Sequence, residues 1–198
     1  MRLLLISALL LVLLGCVTVN NENNSTAVIP KNSTNSNPVK NITPFFNPPP
    51  NYTYFSSPLF LIYYPKTWTY TNPKNGIFLF SSPDDSASDP VVEEFVVEIG
   101  SGNQSTAKDY KAYEMKLLTP SDRITKEENI TFKGKSVYSI EYEGSAGDSQ
   151  NTTVFYKTIY FRNGDWVYRL SYDVEKSRLS QYGPVMQSIL DQFVIGSG

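Results

Sequence analysis

The amino-acid sequence predicts an α+β fold in which an antiparallel sheet is flanked by helices. Three observations lead there. Short apolar or alternating runs bounded by Pro, Gly and Asn recur from Leu59 onward. Arg162-Asn163-Gly164-Asp165 joins two alternating, aromatic-rich runs in the manner of a hairpin. Two stretches carry apolar residues at helical spacing, one in the middle of these runs and one after them.

Taken in order, Leu59 to Tyr64 reads as a short apolar strand ended by Pro65, and Gly76 to Ser81 as a second, bounded by Asn72-Pro73 and Pro83. Val91 to Ile99 alternates, with Val91, Glu93, Phe95, Val97 and Ile99 on one face and Val92, Glu94, Val96 and Glu98 on the other. Between Thr106 and Leu118, Ala107, Tyr110, Tyr113, Leu117 and Leu118 recur at helical spacing, and Pro120 stops the pattern. Strands are then expected over Ile124 to Phe132, Ser136 to Glu143, Thr153 to Phe161 and Trp166 to Asp173. Asn163-Gly164 predicts a type I′ turn between the last two, because both residues tolerate positive φ. Leu179, Tyr182, Met186, Ile189, Leu190 and Phe193 form the apolar stripe of a closing helix, which Gly183-Pro184 either kinks or starts afresh. Residues 58–198 therefore read as one domain, long enough to bury its own core.

The N-terminus has a different character. Met1-Arg2 precedes an apolar run from Leu3 to Leu14 and then Gly15-Cys16, the layout of an export signal over residues 1–15. Leu13-Leu14-Gly15-Cys16 resembles the lipobox of prokaryotic lipoproteins, which implies cleavage before Cys16 and a lipid on its thiol. Left uncleaved, the same run would serve as a hydrophobic anchor. From Cys16 to Ser57 the chain is rich in Asn, Pro, Ser and Thr and poor in charge, the composition of a disordered tether that cannot build a core. Acceptor triplets Asn-x-Ser/Thr occur at Asn23, Asn24, Asn32, Asn41, Asn51, Asn103, Asn129 and Asn151. A lipobox together with so many acceptor sites suggests an archaeal surface lipoprotein attached to the outer side of the cell membrane.

Composition narrows the chemistry. The chain has 198 residues and no histidine, which excludes Ser-His-Asp and Cys-His catalysis and His-ligated metals. With Cys16 as the single cysteine, an intramolecular disulfide and a thiolate zinc site are excluded too. A formal net charge of -2 without a long basic run argues against nucleic acid as a partner.

The residues also resemble a known family. Leu61-Ile62-Tyr63-Tyr64-Pro65-Lys66-Thr67-Trp68 resembles the "tyrosine, proline, two residues, tryptophan" opening of PsbP-like domains. Ile130 to Lys135 with Tyr138 to Tyr142, then Trp166 to Tyr172, then Ile189 to Ile195, resemble the turn, strands and closing helix of that family, and DcrB-type lipoproteins are similar in layout. The resemblance implies an αβα sandwich around a central antiparallel sheet that binds partner proteins and sometimes cations, with no catalytic residues. The metal-binding histidines of photosynthetic members have no counterpart in this chain.

Three residue sets remain as candidates. Asp84, Asp85 and Asp89 lie in a Ser/Pro-rich loop that could offer oxygens to calcium or manganese, against the plainer reading of a solvated acidic loop. Glu141 and Glu143 share a strand face but belong to the solvent side more often than to an acid/base pair. Among the aromatics, those on strands are expected in the core, whereas Trp68 and Tyr70, near a turn, are the candidates for a binding surface. The expected function is therefore a non-enzymatic, membrane-anchored module that binds an envelope protein or extracellular ligand. The alternatives are a cation-binding accessory domain and a histidine-free hydrolase of surface polymers.

Overall fold

The computed structural model describes residues 48–74, 76–83, 91–101, 106–148 and 151–196. Tyr52–Ser56 (β1), Phe60–Pro65 (β2), Thr69–Lys74 (β3), Ile77–Ser81 (β4) and Glu94–Ser101 (β5) come first. Helix Ala107–Leu117 (α1) follows, then Arg123–Phe132 (β6), Lys135–Ser145 (β7), Thr153–Asn163 (β8) and Trp166–Glu175 (β9). A 3-10 turn at Lys176–Arg178 leads into Leu179–Gln192 (α2), and Val194–Ile195 (β10) closes the fold.

Two antiparallel sheets result. The larger has seven strands in the order β3-β4-β5-β9-β8-β7-β6, and the smaller has the order β1-β2-β10. This order follows from one crossover: the chain leaves β5, runs along α1 to the far edge at β6, and returns by hairpins until β9 lands beside β5. Helix α1 must therefore lie across one face of the sheet. The other face is covered by α2 and the small sheet. The α+β class and the helix-sheet-helix layering are as predicted, with a second, small sheet beside α2.

The face toward α2 is a continuous apolar core. Alternate residues Phe95, Val97 and Ile99 of β5, Ile159 and Phe161 of β8, and Leu170, Tyr172 and Val174 of β9 all point into it. They meet Met186, Ile189 and Leu190 of α2, the stripe read from sequence. Phe60 of β2 stacks on Phe193 with centroids 5.5 Å apart, and Tyr168 donates its hydroxyl hydrogen to the Leu59 carbonyl at 2.9 Å. These contacts fasten the small sheet to the large one. Gly196 is required beside them, since a Cβ there would stand 2.3 Å from the Pro58 carbonyl oxygen. Helix α2 runs through Pro184 without a break.

The turns divide differently from expectation. Asn163 pairs with Trp166, so the loop is Gly164-Asp165 and of that hairpin only Gly164 has positive φ, at 59°. This is the II′ pattern, with glycine first. The two-residue loop with both φ positive is Lys133-Gly134, at 50° and 75°, between β6 and β7.

Three strands escape the sequence reading. β1 lies inside the stretch read as tether, and its Phe55 is buried against Phe60, Phe78 and Phe80, so the ordered domain begins before Pro58. β3 carries Asn72-Pro73 in its middle, but it is an edge strand with a register shift between Thr71 and Lys74, the setting in which a strand tolerates proline. β10 is too short to leave a periodic signal.

Candidate functional site

The face under α1 is built from a different vocabulary. Thr106 caps the helix, its side chain accepting from Asp109 N at 3.2 Å while Asp109 accepts from Thr106 N at 3.1 Å, and this reciprocal box fixes where the helix begins. From that start, Tyr110, Tyr113 and Glu114 turn toward the sheet, while Leu117, expected inward, is exposed. Tyr110 stacks on Tyr160 of β8 at 5.2 Å, and Tyr113 meets the same ring edge-on at 6.2 Å.

Glu114 has no exposed surface, and its partners come from two strands that register places side by side. Arg169 of β9 reaches it twice, Nε to Oε2 at 3.2 Å and Nη2 to Oε1 at 3.1 Å. Tyr160 donates to Oε2 and Thr158 to Oε1, the latter at 3.5 Å. Arg169 Nε also donates to Tyr160 Oη at 2.8 Å and Nη1 to Ser171 Oγ at 3.1 Å. A buried pair survives only when geometry and extra hydrogen bonds offset desolvation, and this one has both. Arg169 is held in its charged form, against the effect of burial, by the charge of Glu114 and the phenol of Tyr160. Burial pushes the Tyr160 and Tyr142 hydroxyls well up, so both rings are neutral at physiological pH.

Beside this network the surface opens into a cavity of about 160 Å³. Its walls are the rings of Tyr110, Tyr113 and Tyr160 with Val167, and its polar side is Glu98, Arg169 and the Gly100-Ser101 end of β5. Glu98 is one-third exposed and loosely held: Tyr113 donates to Oε1 at 3.3 Å, and Arg169 Nη1 stands 3.8 Å from Oε2, beyond hydrogen-bond distance. Arg169 has its counter-charge in Glu114, and Glu98 is the carboxylate that faces the cavity beside it.

Further along the same face, β5 and β9 set Glu94 directly opposite Asp173, and Ser81 donates to Glu94 at 3.0 Å. Desolvation raises both carboxyls, and for Asp173 the neighbouring charges of Glu94 and Glu93 raise it further. On the core side, Glu93 is fully buried, accepts from Ser82 Oγ at 2.9 Å and pairs with Arg178 at 3.1 Å. The Arg178 guanidinium lies 4.6 Å over Tyr182, which ties the start of β5 to α2.

The sequence candidates fall unevenly. Trp68 is 7% exposed, facing Tyr182 in the core, and is not a binding surface. Tyr70 is half-buried, with its ring 4.6 Å from Phe55 and 5.3 Å from Phe80, and likewise belongs to packing. Glu141 pairs with Lys157 at 3.1 Å, and Glu143 with Arg123 at 2.7 Å and Lys176 at 2.8 Å, so each is a separate ion pair. Asp84, Asp85 and Asp89, Cys16, and Asn23, Asn24, Asn32, Asn41 and Asn103 lie outside the described residues. Asn51, Asn129 and Asn151 are exposed. Among the described residues no group of three acids is arranged for a metal, and no helix is long and apolar enough to cross a membrane. Glu114 and Arg169 were passed over. Glu114 shares a helical face with Tyr110 and Tyr113, and a carboxylate on an otherwise inward face was the available signal.

Fold and site together define an α+β sandwich whose second face is a tyrosine and charge network with a small cavity. The chain matches the family described as PsbP-like protein over residues 5–195 and belongs to it. Solved structures with a similar fold include LpqN of Mycobacterium tuberculosis, at 17% identity, TM-score 0.52, covering 69% of this chain and 83% of that one. The cyanobacterial PsbP of Synechocystis is similar at 15% identity and TM-score 0.51, over 70% of this chain and 87% of that one. PA94 of Pseudomonas aeruginosa follows at 13% identity and TM-score 0.50, over 73% and 96%. Comparison with curated proteins gives no match.

Proposed function

We propose that this chain is a membrane-anchored extracytoplasmic lipoprotein whose PsbP-like domain is a non-enzymatic binding or structural module for an envelope protein or extracellular ligand. The observation that carries this reading is an order of segments: Met1-Arg2, the apolar run, Gly15-Cys16, an Asn- and Pro-rich stretch, and then a PsbP-like domain. Two further points support it. LpqN, similar in fold, is described as involved in cell envelope biogenesis. The fully buried carboxylate under α1, Glu114, is locked to Arg169 and Tyr160, an arrangement suited to rigidity rather than proton transfer.

The test is intact mass spectrometry of the full chain extracted from its native membrane, paired with Cys16→Ser. The expected species starts at Cys16 and carries added lipid mass, and the variant leaves the lipid-bearing fraction. A chain that retains Met1, carries no lipid and washes off the membrane with alkali overturns the anchoring. If photo-cross-linkers placed around the cavity and on exposed β6 positions give no adduct with any envelope component, the binding role is lost.

A further inference from the structure

We infer that the cavity between α1 and the ends of β5, β8 and β9 is a binding site for a small organic ammonium ion. The inference goes beyond the proposed function and does not depend on the lipid anchor.

The first argument is charge. Arg169 would favour an anion if it stood alone, but Nε and one N–H of Nη2 are committed to Glu114 and one N–H of Nη1 to Ser171, and the Glu98 carboxylate stands 3.8 Å from Nη1 on the cavity side. An anion approaching Arg169 from the cavity would meet the Glu98 carboxylate beside it, and Glu114, with no exposed surface, already supplies the guanidinium's counter-charge from the interior. Glu98 is the reverse case. It faces the cavity, is one-third exposed, and has no ion-pair contact shorter than the 3.8 Å to Arg169 among the described residues. The lining itself holds one carboxylate and one guanidinium, and with Glu114 behind the wall two carboxylates stand against the single charge of Arg169. Outside the cavity, the two charges that act on Tyr110, Arg162 and Asp109, are of opposite sign, and Arg162 Nε is bound to the Gly164 carbonyl at 2.8 Å.

The second argument is the wall. Tyr110, Tyr113 and Tyr160 line the cavity with Val167; Tyr110 and Tyr160 are stacked on each other and nearly buried, so Tyr113 presents most of the aromatic surface, and an alkylated ammonium combines apolar substituents with a charge that aromatic faces attract. The same ring set would do little for a hydrated metal ion, which wants converging oxygens. The third argument is rigidity. Tyr160 is clamped by Arg169 and Glu114, and Tyr110 is stacked on it, so the wall is preformed and binding costs little side-chain ordering. The volume of about 160 Å³ admits a small head group and excludes a polymer.

The experiment titrates the full-length chain, with its tyrosine rings isotopically labelled for NMR, with choline chloride. In parallel it uses 3,3-dimethyl-1-butanol, the uncharged isostere of choline, and sodium phosphate. Saturable shifts are expected at Tyr110, Tyr113 and Tyr160 with choline and not with phosphate. The alcohol should bind about tenfold more weakly, and Glu98→Gln should weaken choline by a similar factor. Val167→Phe, which fills the cavity from a strand end, should abolish binding with the fold intact by circular dichroism. Equal binding of choline and its neutral isostere, saturation by phosphate, or unchanged choline binding in Glu98→Gln would each overturn the assignment.

Discussion

The two faces of the seven-stranded sheet show how one backbone supports two kinds of interior. Toward α2, alternate residues are Phe, Val, Ile and Leu, and the face is held by dispersion and the removal of apolar surface from water. Toward α1, the residues one step along the same strands are Glu98, Arg169, Ser171, Thr158 and Tyr160, and the face is held by hydrogen bonds to two buried charges. An apolar face tolerates a volume-conserving exchange, whereas a charged one fails when a single partner is removed. The α2 side holds the apolar core, and the α1 side holds the buried charges and the cavity.

The sharpest way to break the comparison is to delete one member from each side. Phe95→Ala, at a position with no exposure, should cost about 3–5 kcal/mol in urea denaturation. Glu114→Ala should cost about the same, about 3–5 kcal/mol, by leaving Arg169 buried without its counter-charge. The difference appears in rescue. Glu114→Leu combined with Arg169→Met should recover most of the loss, since replacing both partners with apolar groups removes the desolvation cost, and no second change on the α1 side should rescue Phe95→Ala. If the double variant is as unstable as Glu114→Ala, the charged face is held by something other than this pair.

The next effect sharpens the contrast through pH. Asp173 and Glu94 are raised in the folded state, so the stability they contribute is fully present below the ordinary carboxyl range and is lost as pH rises through their raised values. Glu143, lowered by its hydrogen bonds to Lys176 and Arg123, works in the opposite sense and loses its contribution as pH falls through its depressed value. Asp173→Asn should therefore raise the melting temperature at pH 8 and flatten its decline as pH rises above the ordinary carboxyl range. A variant less stable than the parent at pH 8 would mean that the Asp173 carboxylate is matched by a partner and is not repelled.

How much of this was legible in the sequence differs by face. The apolar face could be read directly: Phe95, Val97 and Ile99 alternate, and the α2 stripe repeats at helical spacing, because burial against an apolar partner imposes a period. The α1 face could not. Helical spacing puts Glu114 on the face of Tyr110 and Tyr113, but Arg169 lies 55 positions away, and nothing local names the guanidinium that meets the carboxylate there. Trp68 went wrong for a related reason. Its turn position suggested a surface, but the turn at Pro65 folds the ring back onto Tyr182. β1 was hidden by composition, since Asn51 and Thr53 continue the pattern of the preceding segment while Phe55, with Tyr52 partly buried beside the core, supplies the anchor. The cap of α1 was half legible: Thr106 was read as the start, and the step to Asp109 that completes the box was not.

That cap gives a third, smaller prediction. Thr106→Ala removes an acceptor for Asp109 N and should cost about 1 kcal/mol. Because α1 carries both Glu114 and two cavity tyrosines, the same variant should loosen the α1 face selectively. Hydrogen exchange should rise in α1 and be unchanged in α2, and equal loosening of both helices would show that the two faces are not separable units.

The smallest effect lies at the rim of the α1 face, where Lys111 reaches Glu127 of β6 at 2.7 Å. The contact is shorter than either contact between Arg169 and Glu114, yet both side chains are well exposed. Water screens the attraction, and fixing two long side chains costs entropy. A double-mutant cycle on Lys111→Met and Glu127→Gln should give a coupling energy of about 0.2–1 kcal/mol that falls in 1 M salt. The corresponding cycle on Glu114 and Arg169 should be larger and nearly independent of salt, because counterions cannot approach a carboxylate with no exposed surface. Distance alone would rank the two pairs the other way, at 2.7 Å against 3.1 Å, so the pair of cycles isolates burial as the variable. Equal coupling energies, or equal salt sensitivity, would mean that the α1 face is as wet as its rim and that the cavity beside it is open to solvent on more than one side.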